Sequence, residues 1–289
     1  MPTFPPVTWI APNGGDRPSF SRDGAEIVYQ NGATLFIIGA SGGKPRVLLT
    51  GTNELMPSRA DWSWSPVTIA FGGASTKVQP SVSTIWLIDC DGANLRELPN
   101  RGGLTRSTYP SWTEDLQSIV ALDSGDPQYH ALWRFRVDGS ADPVQLTTTD
   151  DFCAGRPSAA PGGSGAPVAF AGTRGPYNQT FNQIWIAQPP SLEPVQLDPR
   201  QGRSPNWSPD GKWILFESNR LTGRNYQLFI AAAPGARVLS MQPRAITDPS
   251  IFAQHGQWSR QQDRIVFERG NGQALGIIEV PEEFRSSSS

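Results

Sequence analysis

Apolar residues fall along the chain in short runs that repeat in a fixed order. Each group of runs opens with the same punctuation: a small residue or Pro, a polar residue, an aromatic, Ser or Thr, a turn, and an apolar residue seven positions after the aromatic. The clearest copy is Pro205-Asn206-Trp207-Ser208-Pro209-Asp210-Gly211-Lys212-Trp213-Ile214. Others run Pro18-Ser19-Phe20 to Ile27, Ala60-Asp61-Trp62 to Ile69, Pro110-Ser111-Trp112 to Ile119 and Gly256-Gln257-Trp258 to Ile265. A degenerate copy, Pro157-Ser158-Ala159, carries a two-residue expansion before Val168. The anchors stand at 20, 62, 112, 159, 207 and 258, in steps of 42 to 51 residues.

Three further runs follow the opening segment of each copy. The first is apolar: Ile27–Tyr29, Ile69–Phe71, Ile119–Leu122, Val168–Phe170, Ile214–Phe216 and Ile265–Phe267. The next are Leu35–Ile38, Ile85–Ile88, Leu132–Val137, Ile184–Ala187, Leu228–Ala231 and Leu275–Ile278. The last are Val47–Thr50, Leu95–Leu98, Val144–Thr147, Val195–Leu197 and Ala245–Thr247. β-Branched and aromatic runs of this length, parted by Gly, Pro, Asn and Asp, are strands joined by tight turns. Asp23-Gly24 and Asp210-Gly211 are turn pairs, because Gly takes positive φ without steric cost. Four strands per 40–50 residues, repeated six times, predict an all-β six-bladed propeller.

The sixth copy ends after Ile278-Glu279-Val280, before an outer strand. Val7–Ile10 stands before Phe20 at the spacing that Ile246-Thr247 keeps before Trp258. The N-terminal strand is therefore expected to complete the last blade and close the ring, leaving no open edge. Residues 1–289 are read as a single domain.

The segment Pro205–Phe216, with Gln227-Leu228-Phe229-Ile230 and Arg244-Ala245-Ile246-Thr247 after it, resembles the repeat of TolB-type β-propellers. The resemblance covers residues 7–280 and implies a six-bladed scaffold. Propellers of that family occur in a periplasmic Pal-binding protein, in gating domains of prolyl-oligopeptidase type and in some pectin lyases. It carries no implication about which ligand this chain takes.

Composition narrows the function classes. The 24 Lys+Arg against 26 Asp+Glu give a net charge of −2, which argues against a general nucleic-acid binder. Hydrophobic residues are 37% of the 289, with 10 Trp and 13 Phe, enough for a sizeable core. No apolar run reaches the ~18 residues of a membrane span. The N-terminus has no basic segment followed by an apolar stretch. The expected compartment is thus cytoplasmic as the chain stands, and periplasmic or secreted if a signal segment has been removed. Cys90 and Cys153 alone make neither a disulfide framework nor a zinc cage. The sequons Asn178-Gln179-Thr180 and Asn206-Trp207-Ser208 matter only in a eukaryotic secretory protein.

Catalytic constellations are sparse. Only His130 and His255 occur, too few for a histidine metal cluster. Gly162-Gly163-Ser164-Gly165-Ala166 lacks the last Gly of a nucleophile elbow and reads as a hairpin turn. Asp123 with Asp126, and Asp150 with Asp151, could ligate a hard cation. They read as solvated loop acids, since no loop alternates oxygen donors densely. No cofactor is expected. Trp62, Trp112, Trp207 and Trp258, and also Trp86, Trp133 and Trp185, occupy shared repeat positions and read as core. Trp9, Trp64 and Trp213 lie off those positions, where sugar platforms could be sought, with core the preferred reading for most.

Three residues before each anchor the six copies read Arg17, Arg59, Tyr109, Arg156, Ser204 and His255, with Arg203 one step earlier. In a propeller this point would begin the innermost strand, so these side chains are expected to ring one mouth of the central channel. Glu54, Asp150, Asp151, Phe152 and Asp248 would line the same face. Arginines converging there would attract a carboxylate, a phosphate or an acidic segment through paired donors. The same positions could instead recur for packing, each Arg tied to an acid such as Asp16 or Asp61. The reading drawn is a non-enzymatic binding module for a protein segment or small anionic ligand. The alternative is a lyase or isomerase acting on an acidic sugar, with Tyr109 or His255 as base. A third possibility is a scaffold whose side faces recruit partners.

Overall fold

The computed structural model describes residues 4–285 apart from 66, 78–81, 101, 102, 105, 126–129, 149–151, 176–181, 192 and 237–241, and leaves the side chains of 152–154 undescribed. Six four-stranded antiparallel sheets follow one another around a channel. The inner strands are Asp16–Phe20, Met56–Trp62, Ser107–Trp112, Phe152–Ala159, Arg203–Trp207 and Ala253–Trp258. Each is followed by the two central strands and the outer strand that the apolar runs predict. In blades 1 to 5 all four come from one continuous stretch of chain.

Blade 6 takes its outer strand from the N-terminus. Thr8–Ala11 pairs antiparallel with Ala274–Glu279, setting Thr8 against Ile277 and Trp9 against Gly276. Gly276 is required here, because a Cβ would stand 2.7 Å from Val7 and 2.9 Å from the Trp9 ring. The expected closure is observed.

Central strands are apolar on both faces because both faces are buried. Alternate residues point into alternate blade interfaces. Ile27 and Tyr29 pack against Val266, Leu275 and Ile277 of blade 6, whereas Val28 packs with Trp62, Ile69 and Phe71 of blade 2. Six clusters of this kind, one per interface, make up the core. The Ser or Thr after the anchor serves the turn. In blades 1 and 5, Ser21 and Ser208 Oγ donate to Asp23 and Asp210 at 2.6 and 2.7 Å and accept the Glu26 and Trp213 N–H groups. No helix among the described residues is long and apolar enough to cross a membrane.

The tryptophans divide differently from expectation. Trp62, Trp112, Trp207, Trp258 and Trp185 are buried, but Trp86 and Trp133 are only partly so. Trp213 is core, packed edge-on against Phe284. Trp9 is exposed on the outer strand of blade 6, against Phe267 and beneath Arg269.

Candidate functional site: a crown of side chains over a hydrogen-bonded girdle

An inner strand has a sheet neighbour on one side only. On the other side its N–H groups face the channel and need acceptors. The polar residue before each anchor supplies them. Phe20 N–H donates to Gln257 Oε1 (2.7 Å), Trp62 to Ser19 Oγ (2.9 Å) and Trp112 to Asp61 Oδ2 (3.0 Å). Ala159 donates to Ser111 Oγ (3.0 Å), Trp207 to Ser158 Oγ (3.2 Å) and Trp258 to Asn206 Oδ1 (2.8 Å). Every blade thus hands a side-chain acceptor to the next, and the six bonds form a closed girdle. Asn206 belongs to this girdle and lines the channel, so its sequon is not a surface site. Asn178 lies outside the described residues.

Above the girdle, every inner strand slips register, between Asp16 and Ser19, Ser58 and Asp61, Thr108 and Ser111, Gly155 and Ser158, Arg203 and Asn206, and Gln254 and Gln257. Within each bulge sits one member of the expected set. Arg17, Arg59, Tyr109, Arg156, Ser204 and His255 all have left-handed backbones, with φ between 46° and 55°. They do not begin their strands, as expected, but follow one to four strand residues. In four copies a Pro comes next and brings no N–H to be satisfied. The six side chains line one cavity of about 120 Å³ whose floor includes Asp61, Ser111, Ser158, Asn206 and Gln257.

Arg203 is not part of this lining. Its guanidinium lies 2.9 Å from Glu217 Oε1 and covers the Tyr226 ring at 3.8 Å. Glu54 pairs with Lys77, and Asp248 accepts from Ser250; neither lines the cavity. Asp150 and Asp151 lie outside the described residues, as does the side chain of Phe152. Asp123 is occupied by Arg106 N–H, Ser107 Oγ and Gly125 N–H, and Asp126 is not described. Ser164 Oγ donates at 2.7 Å to Asp115 in the neighbouring turn of blade 3, so it ties two blades together. Among the described residues no three His, Cys, Asp or Glu are grouped to hold a metal ion.

A further layer was not anticipated from sequence. Ten positions after the anchor, twelve in the expanded copy, the blades read Gln30, Gly72, Leu122, Ala171, Glu217 and Glu268. The polar three accept the crown N–H of the following blade: Arg59 to Gln30 (3.1 Å), His255 to Glu217 (2.6 Å) and Arg17 to Glu268 (2.9 Å). Glu217 also takes Arg156 at 3.3 Å, and His255 Nδ1 lies 2.8 Å from Glu268. Arg17 pairs with Asp16 at 3.3 Å. Burial would raise the Glu217 carboxyl, yet His255, Arg203 and Arg156 hold it below the usual range. Gly72, Leu122 and Ala171 bring no charge, so the carboxylates stand behind blades 5, 6 and 1 only.

On the opposite side, Arg59 and Arg156 flank Tyr109, with Cζ atoms 4.1 and 5.8 Å from its ring centroid. Burial alone would raise the Tyr109 phenol, but Arg156, Arg59 and Arg17 bring it down to about 8. Arg59 donates to Thr108 Oγ1 at 3.2 Å, and no carboxylate among the described residues is within ion-pair distance of it. The buried Arg17 Nε, Arg59 Nε and His255 Nε2 make no hydrogen bond within the protein. The expected tie between Arg and Asp61 is made by Arg260 instead, 3.5 Å away on the far side of the girdle.

No family model matches the chain, and no curated protein matches its sequence. Its structure is similar to many solved ones. A putative TolB from Agrobacterium tumefaciens superposes with a TM-score of 0.68 at 15% identity, over 95% of this chain and 97% of that one. A gluconolactonase from Xanthomonas campestris gives 0.67 at 12% identity, over 95% and 89%. An oligogalacturonate lyase from Vibrio parahaemolyticus gives 0.60 at 14%, over 94% and 79%. The fold is the TolB-like six-bladed propeller that the repeat resembles.

Proposed function

We propose that the chain works as one domain, a non-enzymatic binding module that captures a small anionic ligand or an anionic protein segment at the crowned mouth of its channel. One observation carries this reading. Among the described residues nine non-glycine residues have positive φ, and six of them are the crown. A left-handed backbone costs an L-residue roughly 1–2 kcal/mol. Glycine would avoid that cost, and this chain places glycine at positive φ in many turns. Strained backbone that converges on one cavity is the mark of a site whose side chains are needed there. Arg17, Arg59, Arg156 and His255 bring their donor-bearing side chains to the lining of this cavity.

A second reading, an enzyme acting on an acidic sugar, is favoured by Tyr109. Its lowered phenol, facing the same cavity as His255, suits a general base. Similarity of fold to a lyase and a lactonase is compatible with it.

The test is thermal unfolding in chloride-free buffer with lactate, inorganic phosphate or an acidic peptide, for the wild type and for Arg17→Gln/Arg59→Gln/Arg156→Gln. A ligand-dependent rise in Tm for the wild type, absent in the triple variant, is expected. Equal shifts in both proteins would refute the reading.

A further inference from the structure

We infer that the mouth recognises a single carboxylate group, carried by a ligand or chain end of only a few heavy atoms and held between Arg59 and Arg156 over Tyr109. This rests on the anion-binding reading above and narrows it. Charge comes first. Arg17 at the mouth pairs with Asp16, Arg156 shares Glu217 with Arg203 behind the crown, and Glu268 takes His255. Arg59 differs from the others: no carboxylate among the described residues lies within ion-pair distance of it. A negative charge arriving there meets a cation that no carboxylate of the protein already pairs. A dianion would place a second charge against Glu217 and Glu268, where like charges repel.

Shape comes second. A guanidinium presents paired donors that match the two oxygens of a planar carboxylate. Two such groups flank the Tyr109 ring.

Size comes third. The cavity of about 120 Å³ is well under the roughly 300 Å³ at which drug-sized ligand pockets begin. Beneath the girdle the free volume falls to about 30 Å³, bordered by Arg260 and Asp61. The space tightens below the mouth, which disfavours threading of a polypeptide. What enters must be small or must be an end, so the carboxylate can come from a short free acid or from a peptide C-terminus.

Calorimetric titration of the full chain with lactate, pyruvate, inorganic phosphate, and a short neutral peptide with free or amidated C-terminus decides the matter. Expected are one-to-one binding of a free acid or of the free-ended peptide, at least tenfold loss in Arg59→Gln, and no binding of the amide. Preference for lactate and pyruvate over the peptide assigns the source to a small acid, and the reverse assigns it to a chain end. Should Arg59→Gln not fold, Arg59→Lys keeps the charge without the paired donors, and it must weaken the carboxylate at least threefold. Tighter binding of phosphate than of any carboxylate, or undiminished carboxylate binding by the Arg59 variants, overturns the inference while leaving anion capture intact. Failure of every anion, phosphate included, overturns the anion-binding reading itself.

Discussion

Gln257 Oε1 accepts the backbone N–H of Phe20 at 2.7 Å, across 237 residues of sequence. This bond joins the last blade to the first at the channel wall, as the pairing of Thr8–Ala11 with Ala274–Glu279 joins them at the rim. Gln257 Nε2 also donates to Ser19 Oγ and Asp61 Oδ1, at 2.9 and 3.1 Å. Replacing Gln257 by Leu removes the acceptor and leaves Phe20 N–H facing an apolar side chain. A loss of about 1–3 kcal/mol is expected, measured by urea unfolding. An unchanged midpoint would mean that the girdle does not hold the ring closed.

The crown backbone yields a prediction of near-cancellation. Glycine at position 204 relieves a left-handed residue worth roughly 1–2 kcal/mol, offset by about 0.5–1 kcal/mol of added unfolded-state entropy. Glycine also gives up the bond that Ser204 Oγ accepts from Arg156 at 2.8 Å, so Ser204→Gly is expected to stay within about 1 kcal/mol of the wild type. A clear loss of stability would show that the position is packed rather than strained.

Much of this was legible beforehand because it repeats. The seven-residue offset from Phe20 to Ile27, or from Trp207 to Ile214, fixed the blade phase. That phase placed Arg17, Arg59, Tyr109, Arg156, Ser204 and His255 at equivalent points, whatever their chemistry. Arg203 was misplaced because one step along a bulged strand sends the side chain back to Glu217. Gln30, Glu217 and Glu268 sat ten residues after their anchors, but Gly72, Leu122 and Ala171 broke the pattern, so no repeat signal marked them. The pairing of Asp61 with Arg260 joins blades 2 and 6 through the channel, a contact that no spacing along the chain encodes.

That pair is itself open to test. Burial raises the Asp61 carboxyl, with Arg260, Trp112 N–H, Ser19 and Gln257 opposing it. Arg260→Leu strips the buried acid of its cation and is expected to cost roughly 3–5 kcal/mol. Adding Asp61→Asn should recover part of that cost. Additive losses in the double variant would show that the two groups are not coupled.

Tyr109 gives a pH dependence. Its phenol ionises at about 8 in the folded protein against an ordinary value of 10.0. Between these values the unfolded chain keeps the proton that the folded chain has lost. Stability is therefore expected to rise with pH from about 8 to about 10, by a contribution of order 2 kcal/mol that is absent below 8. The phenolate adds negative charge between Arg59 and Arg156, so anion binding should weaken over the same rise. Phenolate absorbance against pH is the readout, and Arg156→Gln should move the midpoint upward. A midpoint near 10 in both proteins would contradict this.

The most direct measurement is a crystal structure of the full chain grown in lactate or pyruvate. Expected is a carboxylate over Tyr109, both oxygens facing Arg59 and Arg156, with the girdle below it intact. Water alone in the crown, with the acid bound elsewhere on the molecule, would contradict the proposed role of this mouth.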